Sequence, residues 1–219
     1  MTDHASTQNQ AGAAWHLAPG EPRPPEVAEL AQALIQTRQT VLPKRLLAPG
    51  PDAGQTRRIL AAAAHAPDHH ELLPWRFVVV PESARAALGQ AFADALQERD
   101  GAAAPEQLAQ AREKAARAPL LLLAVARLRD GDDEIAPRER IISAGCAIQN
   151  MLLMAHALGF GGSLTSGKAL QSAPLRQLFA LGEDEQALCF VNIGTPARAK
   201  PIRERPAVER YVSVLDVPR

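Results

Sequence analysis

The stretch from Arg138 to Lys168 constrains this chain more than any other. It opens on Arg138, Glu139 and Arg140, then runs almost without charge through Ile141, Ile142, Ala144, Cys146, Ile148, Met151, Leu152, Leu153, Met154, Ala157 and Leu158. Apolar residues recur at i, i+3, i+4 and i+7, the period of an α-helix. The opposite face holds little beyond Ser143, Gln149, Asn150 and His156, and a helix apolar nearly all round is a buried one. Gly159-Phe160-Gly161-Gly162 then supplies the backbone freedom that stops a helix. Ser163, Leu164, Thr165, Ser166, Gly167 and Lys168 follow as a short strand-like segment ending in small hydrogen-bonding groups. Such a piece combines a core and a ligand-binding rim.

The run from Ile141 to Gly162 is long enough to raise the question of a membrane span. Gln149, Asn150, His156 and the glycines, with no second hydrophobic span, favour a buried helix of a soluble protein instead. No basic region followed by an apolar run marks a secretory signal, so a cytoplasmic protein is expected. The net charge of +0 provides no global field for nucleic acid or an anionic membrane, and 4% aromatics are too few for base stacking. Cys146 and Cys189 lie in apolar runs without metal-type spacing and read as reduced core thiols.

At 219 residues the chain suits one domain with a substantial core, or at most two small ones. Residues 1–25, rich in Ala, Gln, Thr, Gly and Pro, carry no hydrophobic period and read as a disordered or loosely attached tail, leaving 26–219 as a single domain. A first helix is expected from Glu26 to about Arg38, with Val27, Leu30, Leu34 and Ile35 on its apolar face. Asp52 suits the N-cap of a second, which Ala66-Pro67 halts. Further helices are expected over Ser83–Leu96, Pro105–Arg117 and Pro174–Phe179. Arg76 to Val80, the unbroken apolar run Leu120 to Ala126, and Ala187 to Ile193 read as strands. Helices interleaved with a few distant strands give a mixed α/β layer fold around four or five strands.

Several catalytic signatures are missing, among them G-x-S-x-G, H-E-x-x-H and the P-loop lysine, and the glycines at Gly159 follow a helix rather than open one, against a Rossmann site. His65, His69 and His70 cluster without nearby Cys or paired acids, which suits a polar loop or a ligand contact better than a metal centre. Arg38 and Thr40, two residues apart, either form a solvated helix end or reach one phosphate together.

Seven short pieces occur in order: Thr37-Arg38-Gln39-Thr40, Ala66-Pro67-Asp68-His69, Pro74-Trp75-Arg76-Phe77, Ser143-Ala144-Gly145-Cys146, Gly159-Phe160-Gly161-Gly162, Ser166-Gly167 and Gly194-Thr195-Pro196. Together, over about residues 27 to 200, they resemble the nitroreductase family of FMN-dependent, NAD(P)H-using oxidoreductases, in its compact branch. The resemblance implies an α+β fold, with a small central, mostly antiparallel sheet flanked by helices, and an intertwined homodimer with FMN at the subunit interface. It also implies that Arg38, Gln39 and Thr40 hold the FMN phosphate and ribityl chain, and that His65 and His69 contact FMN from the partner subunit. Thr165, Ser166 and Gly167 would meet the flavin, and Ala155, His156, Ala157, Leu158, Gly159 and Phe160 would contact NAD(P)H.

This chain departs from the family's pattern at Gln39, which replaces a second arginine, and at Thr40, which replaces a serine. Leu42 stands where many members carry a basic residue, Thr165 where the nearest relatives have arginine, and Leu73 where many have glutamine. Arg198 or Lys200 could make up the missing charge. The expected function is hydride transfer from NAD(P)H through FMN to a nitroaromatic, quinone or similar conjugated acceptor, with no side chain acting as acid, base or nucleophile. Two alternatives remain open: a flavin-binding protein with little turnover, or different flavin chemistry on the same fold, such as dehydrogenation or flavin fragmentation. The acceptor pocket is expected from variable loops, including Leu72, Leu73 and the helix between Ala102 and Ala118.

Overall fold

A computed structural model describes residues 24–129, 132, 134–199, 201 and 203–216. The expected tail lies outside the described residues apart from Pro24 and Pro25. The chain divides into two units between Arg38 and Gln39. In the first, α1 (Pro25–Thr37) begins on a proline at its first turn, where the missing N–H costs nothing.

The second unit is organised around β5 (Glu185–Pro196). It pairs antiparallel with β3 (Leu120–Arg127), with β4 (Gly161–Thr165) and, at its end, with the two-residue β1 (Leu46–Leu47). β2 (Trp75–Val79) closes the far side against β3, giving the order β1-β5-β3-β2 with β4 beside β5. All five strands pair antiparallel, as expected.

Helices cover both faces. On one, α2 (Ala53–Ala62) and α5 (Pro137–Ala157) bury Ile59, Ala144, Ala147 and Met151 against Leu122, Ala124, Val191 and Ile193. On the other, α3 (Arg85–Arg99) and α6 (Ala173–Leu178) set Leu88 and Leu175 against Leu121, Leu123, Val125 and Phe190. β3 is therefore apolar from Leu120 to Ala126 because its alternate side chains fill two different cores. Leu122 and Leu123 are both 0% exposed, each burial stabilising by about 1.5–3 kcal/mol. Asp52 caps α2 as expected, accepting from the Gln55 N–H at 2.7 Å. α4 (Pro105–Glu113) continues into the 3₁₀ turn Lys114–Ala116.

The glycine stop of α5 is a Schellman motif: the Gly159 N–H donates to His156 and the Phe160 N–H to Ala155, both at 2.9 Å. Gly159, at φ +88°, occupies the left-handed position that favours glycine. The expectation that α5 is buried all round needs correction. Its inner face is buried, but Ile142 is 64% exposed, and Gly145 and Gln149 are exposed with it. The sheet and α2 cover only one side of the helix.

Candidate functional site

β4 begins at Gly161, earlier than its sequence suggested, and packing explains both glycines. A Cβ at Gly161 would stand 2.8 Å from Val41 Cγ2, and one at Gly162 would stand 2.8 Å from Leu152 Cδ2. Beside them Thr40 forms a parallel bridge to Gly162, whose carbonyl accepts from the Val41 N–H at 3.0 Å. Thr40 thus sits on the same sheet edge as Thr165, three residues or about 10 Å along the strand.

Thr165 is fixed from the neighbouring strand. Asn192, opposite Ser163 and only 3% exposed, donates its amide to Thr165 Oγ1 at 3.1 Å. The same amide group lies 3.3 Å from the carbonyls of Ser163 and Phe190. A buried amide with these partners settles the threonine rotamer. Beyond Thr165 the chain leaves the sheet, and Ser166 and Gly167 are exposed.

A cavity of about 530 Å³ opens at this strand end. Thr165, Ser166, Gly167 and Asn192 form one edge, and Phe92, Leu96, Leu121, Leu164 and Phe190 supply apolar wall. Arg99, Lys114, Arg117 and Lys168 also line it, with no acidic residue among the lining groups. Arg85 holds the segment bearing Lys114 and Arg117: buried, with only 6% exposed, it donates to the Ala115 carbonyl at 2.6 Å and to the Pro119 carbonyl at 3.3 Å. Burial pulls its pKa down from the usual arginine value. The helix between Ala102 and Ala118 does reach the cavity, whereas Leu72 and Leu73 do not line it.

Other expected site residues stand elsewhere. Arg38 caps α1, its N–H donating to Leu34 at 3.3 Å. Gln39 turns its amide to the Pro201 carbonyl at 2.7 Å, which occupies the group that replaces the family's second arginine. His65 ends the turn after α2 and is exposed. His69 is exposed too, its Nδ1 3.5 Å from Glu139 in the first turn of α5. Thr165 lies in register with Phe190, Leu123 and Val78, so three strand spacings, about 14 Å, separate it from β2. His69 precedes β2 and lies at the opposite end of α5 from Gly159, so the single chain does not bring it to the Thr165 rim.

The loop carrying His69 is strongly shaped. His70, Glu71 and Leu73 have φ of 56°, 55° and 48°, left-handed values that cost non-glycine residues about 1–3 kcal/mol each and persist only where surroundings impose them. Asp68 accepts from the Leu73 N–H at 2.7 Å, and His70 Nδ1 lies 2.9 Å from Asp132. That contact, with the Glu134 N–H, holds the Asp132 carboxyl below its usual range. Among the proposed NAD(P)H contacts, Ala155 is buried in the core and its carbonyl accepts the helix cap, while Ala157 and Gly159 are exposed.

Sequence reasoning missed Asn192 and the cavity's cations. Asn192 had a signal, a lone amide within the apolar run Ala187–Ile193; Lys114, Arg117 and Lys168 had none, since only folding gathers them.

Comparison with known proteins agrees with this architecture. The profile described as Nitroreductase family matches residues 35–195. The Haemophilus influenzae protein named "Putative NAD(P)H nitroreductase" is 35% identical over 165 residues, covering 75% of this chain and 88% of that protein. A nitroreductase-like family protein of Bacillus cereus shares the fold with a TM-score of 0.72 at 16% identity, covering 84% of this chain and 95% of that one. The NADPH:FMN oxidoreductase of Vibrio harveyi, solved with NAD+, superimposes with a TM-score of 0.65 at 17% identity, over 86% of this chain and 78% of that one. On this profile match and this identity, the chain belongs to the nitroreductase family.

Proposed function

We propose that this protein is a homodimeric, cytoplasmic, FMN-dependent oxidoreductase that takes hydride from NAD(P)H and reduces a nitroaromatic, quinone or similar conjugated acceptor. The observation that carries this reading is the apolar-walled cavity edged by Thr165, Ser166 and Gly167 and locked by Asn192. Those residues fit a flavin: hydroxyl and backbone groups suit the polar edge of its ring, and the apolar wall beside them leaves room for a flat conjugated partner. Bound FMN would supply the two-electron chemistry, and the chain's part is to bind, orient and exclude water.

Thr165 would present its hydroxyl to the ring edge, with Ser166 and Gly167 offering backbone N–H groups. Thr40, on the same strand edge, would meet the phosphate end. A cation near the ring's N1 stabilises the charge that reduction develops there; Lys168 follows the rim directly and is suited to that task. The exposed backbone at Ala157 and Gly159 would leave room for a nicotinamide.

The dimer has its own support. The open stripe of α5, Ile142, Cys146, Gln149 and Leu153, follows helical spacing and is mostly apolar. Val212, Val214 and Leu215 in the C-terminal segment are 55%, 92% and 86% exposed, and would be covered by a partner. A two-fold across α5 would carry His65 and His69 of one subunit toward the rim of the other, the role that the family resemblance assigns them.

Anaerobic NADPH should bleach the visible absorbance of the FMN-loaded protein, and a nitroaromatic or quinone should restore it. Colourless protein that FMN cannot reconstitute would overturn the proposal. A second reading, a flavin carrier with little turnover, is favoured by Gln39, whose amide is engaged by Pro201 rather than left for phosphate. It predicts bound flavin without NAD(P)H oxidation by any acceptor.

A further inference from the structure

The cavity is charged in a way that the flavin ring does not require, the phosphate being assigned to the Thr40 end of the strand edge. Arg99, Lys114, Arg117 and Lys168 approach it from three separate chain segments, and among the described residues no carboxylate lines it. Among the described residues none of the four is engaged in an ion pair. Arg99 ends α3 and Lys114 is the C-cap of α4, where a cation is favoured by the helix dipole alone. That account does not reach Lys168, which opens the single 3₁₀ turn Lys168–Gln171 rather than ending a helix. It does not reach Arg117 either, which follows its turn with the neighbouring carbonyls of Ala115 and Pro119 already accepting from Arg85. Like charges gathered around one apolar space repel each other, and a bound anion relieves that repulsion.

We propose that the acceptor reduced here carries a carboxylate or comparable anionic group beside its conjugated system, with Lys114 and Arg117 receiving the anion and Phe92, Leu96 and Phe190 the ring. The proposal rests on the reductase reading above. For a nitrobenzoate the balance is simple: hydride from NAD(P)H and one proton from solvent break an N–O bond. The nitro group becomes nitroso, water leaves, and NAD(P)+ is released.

The test compares para-nitrobenzoate with its neutral methyl ester as acceptors for the FMN-loaded protein, and benzoate with benzamide as non-reducible ligands in calorimetry. The carboxylate is expected to win by about tenfold in kcat/KM, mostly through KM, and benzoate to outbind benzamide by a similar factor. Combined Lys114→Gln and Arg117→Gln substitution should cost the carboxylates several-fold more than the ester or the amide, with flavin content and melting temperature checking that the fold survives. Equal use of acid and ester, or an equal loss for both, overturns the proposal. A loss confined to NADPH and absent with NADH overturns it as well, since the cations would then read the dinucleotide's 2′-phosphate. If neither acceptor is reduced while benzoate still outbinds benzamide in a Lys114- and Arg117-dependent way, the anion site stands and the reductase reading falls.

Discussion

Asn192 and Thr165 are tied side chain to side chain at 3.1 Å, diagonally across β5 and β4. One is a core residue 3% exposed, and the other is exposed at the mouth of the cavity. The bond therefore passes the rigidity of the sheet centre to a hydroxyl at its rim.

Replacing Asn192 by Leu should keep the volume and remove the donor. The Ser163 and Phe190 carbonyls lose the same partner, so stability should drop by about 1–3 kcal/mol. If Thr165 meets the flavin, FMN affinity should fall as well, measured by flavin fluorescence against denaturant unfolding of the same variant. Lower stability with unchanged FMN affinity would remove Thr165 from the flavin contact.

Gly89 sets how closely α3 and α4 approach. A Cβ there would stand 2.9 Å from the Arg112 carbonyl oxygen and 3.4 Å from its Cα, backbone that cannot swing aside. Gly89→Ala should cost about 1–3 kcal/mol through overpacking. It should also push α4 outward, and with it Ala111 and the turn bearing Lys114. The expected kinetic signature is a raised acceptor KM with kcat less affected.

Arg76 and Glu185 form a two-pronged ion pair, Nε to Oε1 at 2.6 Å and Nη2 to Oε2 at 2.7 Å, joining β2 to the start of β5. The guanidinium holds the Glu185 carboxyl below its ordinary 4.5. A depressed folded pKa stabilises fully above the unfolded value, and that stabilisation disappears as pH falls through the folded value. Glu185→Gln should thus cost about 1–2 kcal/mol at neutral pH, between a surface pair and a fully buried charged bond. The gap from the parent protein should narrow below pH 4.5, as followed by unfolding at a series of pH values.

Much of this architecture is legible in the sequence because single segments carry their own signals. The Asp52 cap, the Ala66-Pro67 stop and Gly159 act within a few residues, and the Leu120–Ala126 run needs two cores by its composition. What escapes notice is what needs distance. β1 is two residues long and has no period to read. The outer face of α5 looks like core in sequence, because Ile142 and Leu153 carry the same helical period as the side chains that face the sheet. Gly161 and Gly162 resemble a ligand-approach bend, and only packing against Val41 and Leu152 shows why they lack side chains. The cavity's cations come from segments more than a helix apart, so the site's charge is invisible until α3, α4 and β4 meet.

The two cysteines differ in burial. Cys189 is buried and its thiol pushed up to about 11 by burial, leaving about a thousandth of it as reactive thiolate at pH 8. Cys146 is half-buried on the open stripe of α5, one turn beyond Ile142. Iodoacetamide should leave Cys189 untouched until the chain unfolds. If that stripe is the subunit seam, Cys146 should be protected in the assembled protein and labelled readily once Ile142→Glu separates the subunits, with sizing chromatography reporting the assembly state. Cys146 labelled equally fast in both forms would show that the α5 stripe faces solvent, and the partner contact would have to be sought on another surface.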